Sequence, residues 1–308
     1  MKQEDYDLFA TLLKQRSGLV LGRDKVYLLE SRLTPVIRKH GLKSLEELAQ
    51  SIRSKRDEPL LRDVTDAMTT NESFFFRDSK PFDQFKDVLL PELLRTRAPK
   101  KYFRIWSAAA SSGQEAYSLA MICAENAAQL EGWRVDIVGT DLSSEIVERA
   151  RQGLYSQFEV QRGLPISYLM KYFSQVNNDR WQINDSIRRM VTFKEGNLLM
   201  DFGPVGVFDI IYCRNVLIYF DQPTKTRVLD ALSRVIAPDG VLFLGGAETV
   251  LGLSDKFKPL EGQRGMYVLK DRPNSGMLPA KEKEAPRASA ATTTSPFVVN
   301  AASQQAVR

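Results

Sequence analysis

The sequence predicts an α/β protein built on a mostly parallel, doubly wound sheet, with a small all-α domain before it. Between residues 100 and 270, short apolar segments of strand composition alternate with amphipathic segments of helical period. This alternation is typical of βαβ units, whose parallel strands carry helices on both faces of the sheet. Residues 1–78 show only the helical period, so we expect them to form a separate helical domain.

The helical domain is predicted from apolar residues that recur at intervals of three and four. One helix face carries Leu29, Leu33, Val36 and Ile37. Ser44 and Glu47 have the spacing of a capping box, which predicts the start of another helix. Residues 79–99, with Pro81 and Pro91 at the two ends of an amphipathic segment, are expected to form a linker helix.

The sheet is predicted from five apolar segments, with helices between most of them. The predicted strands are Tyr102–Trp106, Val135–Gly139, Val191–Lys194, Phe208–Cys213 and Val241–Leu244. The predicted helices are Gln114–Glu125, Ser144–Arg151 and Thr224–Ile236. Asp239 and Gly240 are expected to form a turn immediately before the fifth strand.

Two stretches depart from this alternation. Residues 155–190 contain Pro165, an asparagine pair and the alternating segment Arg180–Ile183, which together predict an inserted β-subdomain. Residues 271–308 are rich in Ala, Ser, Thr and Pro, with Phe297 as their one aromatic residue. Such a tail buries too little apolar surface to offset its ordering entropy, so we expect it to be disordered.

Composition excludes several kinds of site. The chain has one histidine, His40, and two cysteines, which argues against His-based triads, disulfide frameworks and zinc sites, and we expect no metal. The polar first residues and the absence of an apolar run of roughly 20 residues favour a cytoplasmic protein without membrane insertion. The net charge is 43 − 38 = +5, which admits an acidic partner without selecting one.

Polar residues follow four of the predicted strands, where ligands bind in open α/β sheets. A turn of small residues, 107–113, follows the first strand, and Asp141 follows the second, where an acidic residue can bind ribose hydroxyls. Gly196 and Asn197 follow the third strand, and Arg214 with Asn215 follows the fourth. Each feature alone has a structural explanation, such as close packing or helix capping by Asp141. Together they predict an adenosine-type cofactor.

The segment 69–77 carries three adjacent phenylalanines, Phe74 to Phe76, with polar residues on both sides. Three consecutive side chains cannot share one helix face, so a buried or irregular element is expected. One interpretation is a core plug between the domains. The other is a lid over the cofactor, with Arg77 directed into the cleft.

With these motifs collected, the chain resembles the chemotaxis receptor methyltransferase (CheR) family over about residues 5–270. The resemblance is carried by TTNESFFFRD at 69–78, WSAAASSGQEAYS at 106–118, GTDLS at 139–143, GNLL at 196–199 and CRNVLIYF at 213–220. It implies a class I S-adenosylmethionine-dependent methyltransferase fold with a β-subdomain insert. It further implies methylation of glutamate side chains on chemoreceptor helices, with S-adenosylhomocysteine as the product.

The resemblance also implies roles for individual residues. The implied cofactor contacts are Asn71, Ser73, Arg77, Glu115, Asp141, Asn197, Leu198, Arg214, Asn215 and Val216. Arg77 and Tyr219 are the implied catalytic residues near the transferred methyl group. Relatives often have Glu-Glu-Pro where this chain has Gln114-Glu115-Ala116, and threonine in place of Ser73. Neither difference removes the functional group.

The inserted subdomain distinguishes members of this family. Some members bind a tethering peptide of the receptor through a glycine-containing loop there. The matching stretch here, Ser174–Asp179, is short and contains no glycine. It resembles members that do not depend on a tether.

A basic run in the helical domain is the candidate surface for receptor recognition. Residues 31–43 include Arg32, Arg38, Lys39 and Lys43 and no acidic residue. Such a run is usually a solvated face, but it is also complementary to receptor helices that carry several glutamates. His40 is expected only to cap carbonyl groups at the C-terminus of its helix.

Two other functions compete with receptor methylation. One is a methyltransferase for nucleic acid or small molecules, although the chain lacks a Pro-Pro-Tyr motif and its basic run is short. The other is a non-catalytic, cofactor-binding adaptor of a chemosensory complex. We expect a monomer that acts on cytoplasmic receptor helices and not on nucleic acid.

Overall fold

The computed structural model describes residues 1–55 and 57–273. Apart from its first three residues, the tail predicted to be disordered lies outside the described residues. In the described part, helices precede a large mixed sheet, and a small second sheet is inserted within the large one. This arrangement confirms the predicted fold class.

Helices alone form the first part of the chain. They are α1 (Gln3–Ser17), α2 (Val26–Lys39), α3 (Leu45–Ser54) and α4 (Glu58–Met68). Phe9, Leu13, Leu29 and Leu33 are fully buried between them, as the predicted helical spacing requires. The chain leaves α1 through Gly18, whose φ of 78° lies in the left-handed region that glycine adopts without strain.

Two local predictions in this region hold only in part. The capping box at Ser44 is half formed, because the Glu47 carboxylate accepts from the Lys43 N–H at 2.8 Å instead of reaching Ser44. His40 caps its helix as expected, through its backbone N–H, which donates to the Val36 carbonyl at 3.0 Å, but its ring has a further partner. Its Nε2 lies 2.6 Å from the carboxylate of Asp63, because α4 packs against α2 and supplies a charged partner there.

The connection to the sheet is helical, as predicted, with a change of period in its middle. It consists of α5 (Lys80–Gln84), a π-helical turn (Phe85–Leu89) and α6 (Leu90–Thr96). Pro81 and Pro91 each lie in the first turn of their α-helix, where a missing N–H costs little. Phe82, Phe85, Leu89 and Leu93 are buried against the sheet.

The strands divide into a large and a small sheet. They are β1 (Tyr102–Ser107), β2 (Arg134–Asp141), β3 (Leu154–Ser156), β4 (Phe173–Asn177), β5 (Arg180–Ile183), β6 (Val191–Glu195), β7 (Phe208–Cys213), β8 (Ile236–Leu244), β9 (Phe257–Pro259) and β10 (Met266–Leu269). The large sheet has the order β6-β2-β1-β7-β8-β10-β9. Its first five strands are parallel, and β10 and β9 continue it in antiparallel pairing.

Helices cover both faces of the large sheet and produce two cores. On one face α7 (Gln114–Glu125) and α8 (Ser144–Gln152) pack with α5 and α6 against Phe103 and Ile105. On the other face α12 (Gln222–Val235) packs against Trp106, Phe208 and Ile211. The strand order reverses between β1 and β7, and this switch point is where α/β sheets open a crevice for ligands.

The predicted turn at Asp239 and Gly240 is wrong. The strand β8 begins at Ile236 and runs through both residues, with a shift of register against β7 between Phe208 and Ile210. A Cβ at Gly240 would lie 2.7 Å from the Ile236 side chain and 2.9 Å from the carbonyl oxygen of Asp209. Gly240 therefore permits close strand packing at an irregularity rather than a chain reversal.

The insert forms the predicted β-subdomain. It comprises the antiparallel sheet β3-β5-β4 with α9 (Gln157–Gln161), α10 (Ile166–Tyr172) and α11 (Asp185–Arg188). The strands β4 and β5 form a hairpin with Asn178 and Asp179 at its turn. The stretch 174–179 is therefore mostly strand and tight turn, with no extended loop.

Candidate functional site

A cleft opens at the carboxyl ends of β1, β2, β6 and β7, and its empty volume, open mouth included, is about 950 Å³. Every residue predicted to bind the cofactor or to act in catalysis borders this cleft. They are Asn71, Ser73, Arg77, Glu115, Asp141, Asn197, Leu198, Arg214, Asn215, Val216 and Tyr219. Residues separated by up to about half the chain therefore meet at the switch point of the sheet.

Asp141, the last residue of β2, lies against the small-residue turn that follows β1. One of its oxygens accepts from the Ser111 N–H at 2.8 Å and the other from the Ser143 N–H at 3.3 Å. Burial raises the pKa of Asp141 above its ordinary value, while the N–H groups of Ser111, Ser143 and Leu142 oppose that rise. A carboxylate has about four lone-pair sites, so Asp141 retains capacity for a hydroxyl donor in the cleft.

The turn after β1 is fixed on both sides by backbone hydrogen bonds. The Ala108 N–H donates to the backbone carbonyl of Tyr212 on β7 at 2.7 Å, and the Ala110 N–H donates to the backbone carbonyl of Thr140 on β2 at 2.9 Å. The turn ends at Gly113, whose φ is 95° and where a Cβ would lie 2.9 Å from the Phe193 ring. Glycine is thus required at the start of α7, and the small side chains of the turn leave the cleft open.

A buried ion pair lies at the floor of the cleft. Arg214 at the end of β7 donates to the Glu115 carboxylate at 2.8 Å, and the Ser107 hydroxyl donates to the other Glu115 oxygen at 2.7 Å. The second terminal nitrogen of Arg214 binds the Arg77 carbonyl and the Asp78 carboxylate. Arg214 therefore connects two strand ends to the segment 69–79, in addition to bordering the cleft.

The segment 69–79, which we call the lid, is irregular, as predicted from its three phenylalanines. The rings diverge: Phe75 is buried against Tyr155 and Phe173 of the insert, whereas Phe76 packs against Phe82 and Tyr168. Phe74 lies beneath the guanidinium groups of Arg77 and Arg162. Phe75 thus fills the core, while the polar residues around it line the cleft.

Polar contacts hold the cleft side of the lid. The Ser111 hydroxyl donates to the Asn71 carbonyl at 2.7 Å, which joins the lid to the turn after β1. Arg77 donates to the Glu72 carbonyl at 2.9 Å, and the Glu72 carboxylate accepts from Arg162 of the insert at 2.7 Å. Arg77 uses one N–H in this way and keeps others for a ligand.

Asn197, after β6, has a structural partner in the helical part of the chain. Its side-chain N–H donates to the Arg16 carbonyl at 2.7 Å, and its side-chain oxygen accepts from the Leu199 N–H at 2.9 Å. The neighbouring Leu198 borders the cleft with its apolar side chain. Asn197 therefore fixes the end of α1 beside the cleft as well as bordering it.

The helical part contributes residues to the cleft that the sequence did not indicate. Ser17, the last residue of α1, and Leu19, in the loop that follows, line it together with Phe220. The Val20 N–H donates to the Tyr219 carbonyl at 2.9 Å and so holds this loop against the turn after β7. No motif marks residues 17–20, so the pattern of the sequence could not have identified them.

Glu248 does not line the cleft but holds a turn that does, and it was not among the predicted site residues. It follows β8, and its carboxylate accepts backbone hydrogen bonds from the turn after β7. Its position four residues after β8 is a signal at the same edge of the sheet, but that position does not reveal which turn the carboxylate binds.

The basic run of α2 is not one free surface. Arg32 is half-buried and donates to the carbonyls of Met68 and Thr69 and to the Thr70 hydroxyl, where α4 ends and the lid begins. Lys39 pairs with Asp63 at 2.8 Å. Arg38 and Lys43 are exposed to solvent. The contacts of Arg32 thus correct the expectation that it lies on a solvated face.

The chemical character of the cleft fits a ligand with hydroxyl, cationic and anionic groups. Asp141 offers acceptors for hydroxyls, Glu115 is a carboxylate for a cation, and Arg77 is a cation for a carboxylate. Leu19, Leu198, Val216 and Phe220 supply apolar surface for a flat ring. S-Adenosylmethionine has all of these groups, so the residues present fit it.

Two further properties concern the described residues as a whole. No group of three or more His, Cys, Asp or Glu side chains in residues 1–55 and 57–273 is arranged to hold a metal ion. None of the helices in these ranges combines the length and the apolar character needed to span a bilayer.

Family models match both parts of the chain. Residues 4–69 match the model described as CheR methyltransferase, all-alpha domain. Residues 71–266 match the model described as CheR methyltransferase, SAM binding domain. The two matches meet at the start of the lid.

Curated relatives are similar over most of the chain. A chemotaxis protein methyltransferase of Vibrio parahaemolyticus is 39% identical over 273 residues, which cover 88% of this chain and 98% of the relative. Chemotaxis protein methyltransferase 1 of Pseudomonas aeruginosa is 41% identical, covering 85% of this chain and 96% of the relative. A chemotaxis protein methyltransferase of Borreliella burgdorferi is 33% identical, with coverages of 76% and 84%. The chain therefore belongs to the CheR methyltransferase family and is an S-adenosylmethionine-dependent methyltransferase of chemotaxis.

Proposed function

We propose that the chain methylates glutamate side chains on the cytoplasmic helices of chemoreceptors, producing glutamate methyl esters and S-adenosylhomocysteine. The observation that carries the proposal is the cleft, where Glu115, Asp141, Arg77 and Arg214 converge beneath the lid. These four charged groups match the hydroxyls, cation and carboxylate of S-adenosylmethionine. Membership of the family supports the receptor as the acceptor.

Each wall of the cleft has a role in this proposal. Asp141 binds the ribose hydroxyls through its free lone pairs, and Glu115 and Arg77 bind the amino acid part. Asn197, Leu198, Asn215 and Val216 enclose the adenine and the sulfonium, while Asn71 and Ser73 close the cleft from the lid. The cofactor supplies a methyl group activated by a positively charged sulfur.

The proposed acceptor needs no general base. A glutamate side chain has an ordinary pKa of about 4.3, so it is already an anion at neutral pH. The chain must therefore orient the carboxylate and exclude water rather than remove a proton. Arg77 and Tyr219 border the cleft and are the proposed groups that position the incoming carboxylate. This explains how a protein with a single histidine performs the reaction.

We propose that receptor recognition uses the exposed part of the basic run in α2. Arg38 and Lys43 are free of the ion pair that holds Lys39 and of the carbonyl contacts that hold Arg32. They present positive charge to receptor helices that carry several glutamates. The domains in this proposal are a recognition domain at 1–78, a linker at 79–99 and a methyltransferase domain at 100–270.

The tight hairpin of β4 and β5 supports a further detail. Residues 174–179 form strand and a two-residue turn and offer no extended loop for a tethering peptide. We therefore propose that the protein reaches its receptor without a tether. We also propose that it acts as a monomer in the cytoplasm.

The proposal is tested by supplying isotope-labelled S-adenosylmethionine with three acceptors: a purified receptor cytoplasmic fragment, DNA and RNA. Label in the receptor fragment alone is the expected result. Label in nucleic acid alone would identify the competing methyltransferase. Binding of S-adenosylhomocysteine without transfer to any receptor fragment would instead favour the adaptor.

A further inference from the structure

Four backbone N–H groups from two different chain segments donate to the single carboxylate of Glu248. One oxygen accepts from Asn215 at 2.8 Å and from Gly245 at 2.6 Å. The other accepts from Val216 at 3.0 Å and from Ile218 at 3.2 Å. A carboxylate has about four lone-pair sites, so the hydrogen-bonding capacity of Glu248 is filled.

The turn held by Glu248 is the one that borders the cleft after β7. Asn215 has a φ of 58°, a left-handed conformation that is uncommon for a residue other than glycine. Asn215, Val216 and Tyr219 all line the cleft, whereas Glu248 does not. The charged acceptor therefore lies behind a turn whose residues border the cleft.

Glu248 is itself anchored on the antiparallel edge of the sheet. Its N–H donates to the Gly245 carbonyl at 2.9 Å, and its carbonyl accepts from the Tyr267 hydroxyl of β10 at 3.3 Å. A Cβ at Gly245 would lie 2.7 Å from the Glu248 carboxylate and 2.9 Å from the backbone nitrogen of Asn215. Glycine is thus required there for the carboxylate to reach the turn.

We propose that Glu248 is a positioning residue for methyl transfer, which holds Asn215, Val216 and Tyr219 in place by binding the N–H groups of their turn. It touches neither the cofactor nor the acceptor, because its lone pairs are used by the backbone. The role of Glu248 in methyl transfer rests on the proposed function, whereas its role in holding the turn after β7 does not.

The central variant is Glu248→Gln, which keeps the shape of the side chain. Whichever way the amide is oriented, its NH₂ group faces two backbone donors, and at least two N–H groups lose their acceptor. We expect backbone amide exchange in residues 214–220 to become at least tenfold faster, and kcat per S-adenosylhomocysteine-binding site to fall at least tenfold. The dissociation constant of S-adenosylhomocysteine should rise by a smaller factor than kcat falls, because Asn215 and Val216 are only two of the proposed cofactor contacts and Asp141 and Glu115 are on other elements.

Two further variants complete the design. Glu248→Asp keeps an acceptor-only group and should recover part of the lost kcat. Glu159→Gln is the matched control, because the Glu159 carboxylate also accepts from a backbone N–H and a hydroxyl, both of Ser156, but in the insert. It should leave exchange at 214–220 and kcat at their wild-type values.

The outcomes separate the two proposals. Unchanged amide exchange at 214–220 in Glu248→Gln would overturn the positioning role, whatever the substrate is. Faster exchange with a wild-type kcat per binding site would restrict Glu248 to stability and would also overturn it. If the wild-type protein methylates no receptor fragment, the proposed function fails, and amide exchange still decides whether Glu248 holds the turn.

Discussion

The guanidinium of Arg214 lies 2.8 Å from the carboxylate of Glu115, which joins the end of β7 to the first turn of α7. Both side chains are largely buried, with exposures of 2% and 10%. The pair spans the switch point of the sheet and forms the floor of the cleft. Because Arg214 also binds Asp78 and the Arg77 carbonyl, the same guanidinium fixes the lid above that floor.

Arg214→Met is expected to destabilise the protein strongly. Removing one partner leaves a buried, uncompensated charge on Glu115, which typically costs about 3–5 kcal/mol. The double variant Arg214→Met with Glu115→Gln removes that charge and should recover part of the loss. Urea denaturation of the wild type and of the single and double variants measures their free energies of unfolding. Equal losses in both would show that the charge on Glu115 is not what makes Arg214 necessary.

Asp141→Ala is expected to weaken S-adenosylmethionine binding by at least about tenfold, which corresponds to about 1.4 kcal/mol. The variant removes the proposed acceptor of the ribose hydroxyls and the partner of the Ser111 and Ser143 N–H groups. Isothermal titration calorimetry measures the affinity. Asp136→Asn, earlier on the same strand and paired with Arg134, is the control. Wild-type affinity in Asp141→Ala would exclude the ribose assignment.

Arg38→Glu combined with Lys43→Glu should slow receptor methylation without changing cofactor affinity. Both side chains are exposed, so their reversal alters long-range attraction to an acidic receptor surface and not the fold. The expected loss is in kcat/KM for the receptor, and it should shrink as salt screens the charges. A loss that is the same at low and high salt would argue against electrostatic recognition.

Arg32→Gln should behave differently from its neighbours in the basic run. Its guanidinium binds the Met68 and Thr69 carbonyls and the Thr70 hydroxyl, which anchor the start of the lid. Hydrogen bonds from a charged donor contribute about 1.5–3 kcal/mol each when buried, and less when partly exposed as here. We expect weaker S-adenosylhomocysteine binding in calorimetry, with Arg38→Gln as the matched control. Equal affinities in the two variants would show that the lid does not need Arg32.

The Lys14–Asp221 pair between α1 and the N-cap of α12 predicts a pH dependence. The hydrogen bond from Lys14 at 2.7 Å, together with hydrogen bonds from Thr224, lowers the pKa of Asp221 to about 2. A depressed native pKa stabilises the fold above the unfolded pKa of about 3.9, and this contribution is lost as the pH falls toward about 2. Because the pair is near the surface, the contribution should be about 1 kcal/mol or less.

Asp221→Asn isolates this charge, because asparagine also caps helices well. The difference in unfolding free energy between wild type and variant should be largest above pH 4 to 5 and decline toward pH 2, as measured by urea unfolding at several pH values. A difference that stays constant with pH would show that the cap, and not the ion pair, is responsible.

The sequence predicted the fold class and the edge of the sheet that carries the cleft, because strand and helix periods are local properties. Asp141 and Asn215 were found in this way, since each lies two residues after the end of a predicted apolar strand. Glu248 was missed because its role depends on a turn 33 positions away in the chain. Ser17 and Leu19 were missed because their position depends on how α1 packs, which no periodicity encodes.

Two predictions, the turn at Asp239 and Gly240 and the solvated position of Arg32, were wrong for the same reason. Asp239 and Gly240 form a turn in most local contexts, but here β7 pairs with β8 on both sides of them, at Ile236 and Val241, and Arg97 binds the Asp239 carboxylate. Arg32 has the spacing of a solvated basic residue, but the C-terminus of α4 lies within its reach and binds it. In both cases tertiary contacts override a local preference, so sequence periodicity could not reveal them.

The proposed function requires the cleft to deliver a methyl group to glutamate carboxylates of a receptor. Its most direct test is mass spectrometry of a receptor cytoplasmic fragment after incubation with the protein and isotope-labelled S-adenosylmethionine. We predict one labelled methyl group per modified site, located on glutamate and removed by mild alkali, as expected for an ester. Label on lysine, arginine or a backbone position, or no label on a fragment that binds the protein, would contradict it.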